Sequence, residues 1–157
     1  MAGQPERTFI DATLVEINKG GDARQSAAHE LAAEIEGDDF DNEELFRALS
    51  NRNATSLFLG IIGSESNSDT KLDLIFIVWR LARHSDIEKE RAIACNGVAV
   101  VVKEGNSSTN SYYSALCARA ITGIALYNQV REKKAVSSGA VAMSLNVLSN
   151  DNFKFDH

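Results

Sequence analysis

Apolar residues recur along this chain at three- and four-residue intervals, in blocks separated by short polar breaks. The clearest block is Lys71-Leu72-Asp73-Leu74-Ile75-Phe76-Ile77-Val78-Trp79-Arg80-Leu81-Ala82-Arg83. It returns in altered form as Ser114-Ala115-Leu116-Cys117-Ala118-Arg119-Ala120-Ile121-Thr122-Gly123-Ile124-Ala125-Leu126, with Ala82 and Ala125 lying 43 residues apart. Ser26-Ala27-Ala28-His29-Glu30-Leu31-Ala32-Ala33-Glu34-Ile35 is a weaker relative. Such spacing gathers apolar side chains on one stripe of a helix. It predicts helices over 8–18 (Phe9, Ile10, Leu14, Val15, Ile17) and 22–36, where Ala28, Leu31, Ala32 and Ile35 share a face and Glu30 and Glu34 turn away. Gly20-Gly21 separates the two. Further helices are predicted over 43–49, 53–62, 69–83, 87–94, 111–127, 130–136 and 140–148, with polar turns at 63–68 and 105–110.

One segment is ambiguous. Val98-Ala99-Val100-Val101-Val102-Lys103 reads as a strand when taken alone, because it is β-branched. Its place in a recurring order of short, medium and long helix argues instead for a helix. That order occurs fully at 42–83 and 86–127, with a medium-plus-long piece at 8–36 and a short-plus-medium piece at 129–148. Ala48, Ala92 and Ala135 are 44 and 43 residues apart, and Asn53, Gly97 and Gly139 are 44 and 42 apart. Residues 8–148 are therefore expected to form one all-α repeat domain, with 1–7 and 149–157 as flexible ends. One such unit cannot bury both faces of its helices, and stacking neighbours supplies the core. Ile75, Val78, Leu81 and Ala82 are expected in that core, together with Ala118, Ile121, Ile124 and Ala125.

Units of two or three helices at about 40–47 residues are the armadillo and HEAT period. Cys117-Ala118-Arg119-Ala120-Ile121-Thr122-Gly123-Ile124-Ala125 resembles the third helix of an armadillo repeat, and Asn96-Gly97-Val98-Ala99 and Ser138-Gly139-Ala140-Val141 resemble the glycine before its second helix. The resemblance spans residues 8–148 and implies a right-handed superhelix, an α-solenoid whose long helices line a concave groove. It implies a ladder of groove positions at Glu30 and Glu34, Phe76 and Arg80, and Arg119 and Gly123. Arg83 and Tyr112 or Tyr113 would extend the basic and aromatic end. Where the family's nuclear-import adaptors hold Trp and Asn to clamp a basic peptide, neither Asn stands here and Trp79 is one place late, which argues against that role. The function the resemblance implies is a non-catalytic scaffold or adaptor that binds an extended, acidic or phosphorylated peptide or a partner surface. The alternative on the same fold is a regulator of a small GTPase or of a chaperone client.

Composition narrows this reading. The net charge of −6 over 157 residues argues against general nucleic-acid affinity. Residues 1–65 carry 5 Lys/Arg against 13 Asp/Glu, and 66–157 carry 11 against 9. No uncharged apolar run approaches the roughly 20 residues that span a bilayer. The first residues carry no apolar signal core, and with two cysteines and no disulfide framework a cytoplasmic or nuclear setting is expected. Asp39, Asp41 and Glu43 alternate like part of a calcium loop, but Glu44 and Ser50 stand where Gly and a bidentate Glu are required, so a solvated loop is expected. His29, His84, His157, Cys95 and Cys117 show no metal-ligand spacing, and phosphate-loop and nucleophile-elbow motifs are missing. No cofactor, metal site or catalysis is expected. The last medium helix, with Met143, Leu145, Val147 and Leu148, is expected to leave an apolar edge open to self-association or further repeats.

Overall fold

The computed structural model describes residues 4–36, 42–125 and 128–148, and among them every regular element is an α-helix. Side chains are described from Thr8 to Leu145 within those ranges. The helices are α1 (Gln4–Lys19), α2 (Gly21–Glu36), α3 (Glu43–Asn51), α4 (Ala54–Ser64), α5 (Ser68–His84), α6 (Asp86–Ala94), α7 (Gly97–Ser107), α8 (Ser111–Ala125), α9 (Gln129–Ser137) and α10 (Ala140–Leu148). The acidic residues Asp38, Asp39 and Asp41, the expected extension of α8 to residue 127, and the tail from residue 149 lie outside the described residues. So do the Val147 and Leu148 side chains expected at the last apolar edge.

From α3 onward the helix starts are strictly periodic. Short helices begin at Glu43, Asp86 and Gln129, medium helices at Ala54, Gly97 and Ala140, and long helices at Ser68 and Ser111, always 43 residues apart. Local chemistry sets these boundaries. Asn67, Asn110 and Asn128 each accept a hydrogen bond from the backbone N–H three residues on, at 2.9, 3.1 and 3.0 Å, which satisfies a donor that a helix start leaves open. Before each medium helix stands a residue in left-handed conformation: Asn53 (φ 54°), Asn96 (φ 60°) and Gly139 (φ 91°). Asn and Gly are the residues that reach this region most readily.

The expected register of these turns was therefore off by one, since Asn96 rather than Gly97 is the counterpart of Asn53 and Gly139. Gly97 is the first residue of α7 and is glycine for packing: a Cβ there would lie 2.6 Å from Leu59 Cδ1 and 2.8 Å from the Ala92 carbonyl oxygen. The stretch 98–103 is helical, as the repeat spacing predicts. The polar turn expected from Gly105 is shifted, because α7 continues through Gly105 to Ser107. Gly105 is buried, and a Cβ would collide with the Met143 sulfur of α10 and crowd Cys117 of α8. A small residue inside the helix thus lets three helices meet. Met143 is for this reason fully buried and does not belong to the open edge. At the other end α1 begins at Gln4, within the stretch expected to be a flexible end, and Pro5 sits in the first turn, where proline is tolerated.

The long helices α2, α5 and α8 pack side by side. Gln25 and His29 of α2 meet Asn67 and Asp73, in that order, so α2 and α5 run parallel. Lys71 and Tyr113 share Glu104, while further along Trp79 meets Gly123, so α5 and α8 run parallel too. The medium helices α4, α7 and α10 form a second row behind them. The core lies between the rows and includes Leu31, Ile35, Phe58, Ile62, Leu74, Ile77, Val78 and Ile121.

Candidate functional site

The three long helices bury the same pattern. On α2 the buried residues are Ala27, Ala28, Leu31, Ala32 and Ile35. The same spacing recurs on α5 as Asp73, Leu74, Ile77, Val78 and Leu81, and on α8 as Leu116, Cys117, Ala120, Ile121 and Ile124. This shared stripe on parallel, adjacent helices brings residues of equal offset to the same face. Glu30, Phe76 and Arg119 share one offset, and Glu34, Arg80 and Gly123 share another. The sequence-predicted ladder thus stands at matching positions of α2, α5 and α8.

At its centre α5 presents aromatic and cationic side chains one turn apart. The Arg80 guanidinium carbon lies 5.8 Å from the Phe76 ring centroid and 6.0 Å from that of Phe46, which reaches in from α3. Arg83 lies 6.0 Å from the Trp79 ring centroid. Phe76 and Trp79 meet edge to face, with centroids 5.8 Å apart. Phe46 also stacks on His84, at 4.8 Å and 33°. A guanidinium against a ring face gains from the ring quadrupole. Arg83 and His84 also close the C-terminal turn of α5, where positive charge suits the helix dipole.

On α8, Arg119 and Tyr112 are exposed and seven residues apart, so they point the same way. Tyr113, the alternative at sequence level, is buried with its hydroxyl donating to Glu104 at 3.0 Å, and burial pushes its ionisation well above the usual range. No open space stands at Gly123: the Trp79 indole lies over it, so close that a Cβ would stand 3.0 Å from Cδ1. Glu30 and Glu34 are exposed on α2 and give one end of the face an acidic character. Phe46 was not anticipated from sequence. Its signal is the apolar stripe Leu45, Phe46, Ala48 and Leu49 on α3, which reads as core and hides the ring's contact with Arg80.

The titratable groups outside this face are mainly packing groups. Burial raises the Cys117 thiol to about 12 and also raises Cys95, which donates to the Ala92 carbonyl at 3.5 Å. Both are thiols at neutral pH and poor nucleophiles. Glu88 is buried and accepts from Ser50 at 2.6 Å, Thr55 at 2.5 Å and Arg91 at 2.5 Å, tying α3, α4 and α6 together. Burial would raise Glu65, but the Asn67 N–H, the Arg24 guanidinium and the Ser66 N–H outweigh it and hold the carboxyl below its usual range. Among the described residues no group of three His, Cys, Asp or Glu is placed to hold a metal ion, and no helix is long and apolar enough to cross a membrane. The chain matches no protein-family model, and no curated protein shows significant similarity to it.

Proposed function

We propose that this chain is a non-catalytic interaction scaffold, an armadillo-like α-solenoid that holds an extended acidic or phosphorylated protein segment across α5 and α8. The observation that carries the reading is the single face on which Phe76, Arg80, Arg83, Tyr112 and Arg119 stand, with guanidinium groups seated on aromatic rings. Arg and Tyr are frequent anchors of binding energy, and Arg grips carboxylate or phosphate with two hydrogen bonds. Adjacent packed helices lie roughly 8–10 Å apart, and an extended peptide advances about 3.3 Å per residue. Anionic side chains two or three residues apart would therefore span the α5 and α8 arginines. Trp79 closes the gap at Gly123, so the segment runs along Arg119 and Tyr112. Glu30 and Glu34 repel the same ligand and set the acidic limit of its path.

The test is titration calorimetry with synthetic extended peptides carrying Glu or phosphoserine at every second or third position. Arg80→Ala and Arg119→Ala should each weaken binding by about 1–2 kcal/mol. Lys133→Ala, on α9, should leave it unchanged. Glu30→Arg with Glu34→Arg should strengthen binding and lengthen the peptide that gains from it. Added salt should weaken every complex, since exposed charge contacts are screened. If both groove variants fold normally and bind like the original chain, these arginines are solvated surface and the reading fails.

A further inference from the structure

The medium helices differ in one respect that their order in the fold explains. Positions 55, 98 and 141 correspond, as do 59, 102 and 145. Thr55 and Leu59 on α4 are 0% and 2% exposed, and Val98 and Val102 on α7 are 1% and 7% exposed. Val141 and Leu145 on α10 are 53% and 60% exposed. The first pair is covered by α6 and α7, with Glu88 of α6 accepting from Thr55 and Gly97 of α7 against Leu59, and the second lies under α9 and α10, with Gly139, just before α10, against Val102. Val136, at the end of α9 beside this face, is 60% exposed. The α9–α10 end is thus a packing surface of the same kind as two that are filled, and among the described residues nothing fills it.

We propose that a second copy of this chain covers it, through a two-fold contact of α10 against α10. A two-fold interface must be complementary to itself. Helix α10 has no charged residue, and Val141 and Leu145 lie one turn apart, so in an antiparallel pair each Val141 meets the other copy's Leu145 without bringing like charges together. The flanking helix α9 exposes both signs, Glu132 beside Lys133 and Lys134. Across a two-fold axis the Glu132 of one copy faces the lysines of the other, which favours this arrangement over a partner of single charge. A head-to-tail contact with the α1 end would not close and would build filaments. This surface is separate from the α2–α5–α8 face and does not depend on what that face binds.

Sedimentation velocity on the full chain decides the matter. The expected result is a concentration-dependent species of twice the 17.1 kDa chain mass, with no larger assemblies. Val141→Asp with Leu145→Asp should weaken association about tenfold or more, with the far-ultraviolet circular dichroism unchanged. Charge reversal gives a second arm that spares the apolar contact. A copy with Lys133→Glu and Lys134→Glu should self-associate less, as should a copy with Glu132→Lys, and the two mixed should form a heterodimer more readily than either alone. A chain that stays monomeric at all concentrations, so that its own tail or another protein covers the face, would overturn the proposal. So would a ladder of higher oligomers, or a mixture that pairs no better than its components.

Discussion

Helices α2 and α5 solve the same packing problem and show different chemistry to solvent. Both are parallel neighbours in the row of long helices, and both bury residues in the pattern i, i+1, i+4, i+5, i+8. On α2 that stripe is built from Ala27, Ala28, Leu31, Ala32 and Ile35, and the outward positions are Glu30 and Glu34. On α5 the stripe is larger, with Leu74, Ile77, Val78 and Leu81, and the matching outward positions are Phe76 and Arg80. The buried pattern sets how the helices pack and leaves the outward residues free to vary, because exposed substitutions change stability little. What a unit displays is therefore a better guide to function than what it buries.

The largest effect should come from the stripe itself. Leu31 and Ile77 occupy the same stripe position, and both are fully buried. Leu31→Ala and Ile77→Ala should each cost about 2–5 kcal/mol by urea unfolding. Glu30→Ala and Glu34→Ala should stay within about 0.5 kcal/mol. A Leu31 variant that costs as little as the glutamate variants would mean that α2 is only loosely docked on α5, and the two helices would no longer be equivalent.

A middling effect is expected where α5 and α8 differ in surface. At the offset of Arg80 and Glu34, α8 has Gly123, and the Trp79 indole rests on it. Gly123→Leu would fill that place and push the indole out. The overpacking should cost about 1–2 kcal/mol after the better helix propensity of Leu is set against it. Trp79 is the one tryptophan of the chain, so its fluorescence reports this site alone. A red-shifted emission is expected. An unchanged spectrum would show that the indole does not depend on Gly123 for its seat.

Much of this was legible in the sequence because it depends on spacing. The stripes of α2, α5 and α8 are visible as apolar periodicity, and the β-branched run of α7 could be read as helix because its neighbours 43 residues away are helical. Contacts between distant segments were not legible in the same way. Gly105 looks like a turn residue, and only the Met143 side chain from α10 explains why a glycine sits inside α7. Asn96 and Gly97 look like one turn signal, yet one supplies the left-handed backbone and the other a close approach to Leu59. Phe46 reads as core, and its face toward Arg80 depends on how α3 lies against α5. Gly123 reads as a groove position, and nothing in the sequence shows that the Trp79 indole rests on it.

The smallest effect concerns the first stripe position, where α2 has Ala27 and α8 has Leu116 but α5 has Asp73. Burial pushes the Asp73 carboxyl above its ordinary range, with Asp69 and Glu36 adding to the rise and the His29 imidazole at 3.4 Å opposing it. A carboxyl that holds its proton more tightly folded than unfolded gives its full stabilising contribution below its unfolded pKa. That contribution is lost as pH rises through the higher folded value. Asp73→Asn removes the titration and keeps the shape. It should match the original chain in acid and become the more stable of the two as pH approaches neutrality. The lost pairing with His29 subtracts little, because that side chain is 78% exposed and such a pair is worth less than about 1 kcal/mol. Thermal unfolding of both proteins from acid to neutral pH measures the divergence. Parallel curves would mean that the Asp73 carboxyl is solvated well enough to behave like an ordinary surface acid. A less stable Asn variant at neutral pH would mean that the ion pair with His29 outweighs the cost of burial, and α5 would then use charge at a position that α2 and α8 fill with apolar groups.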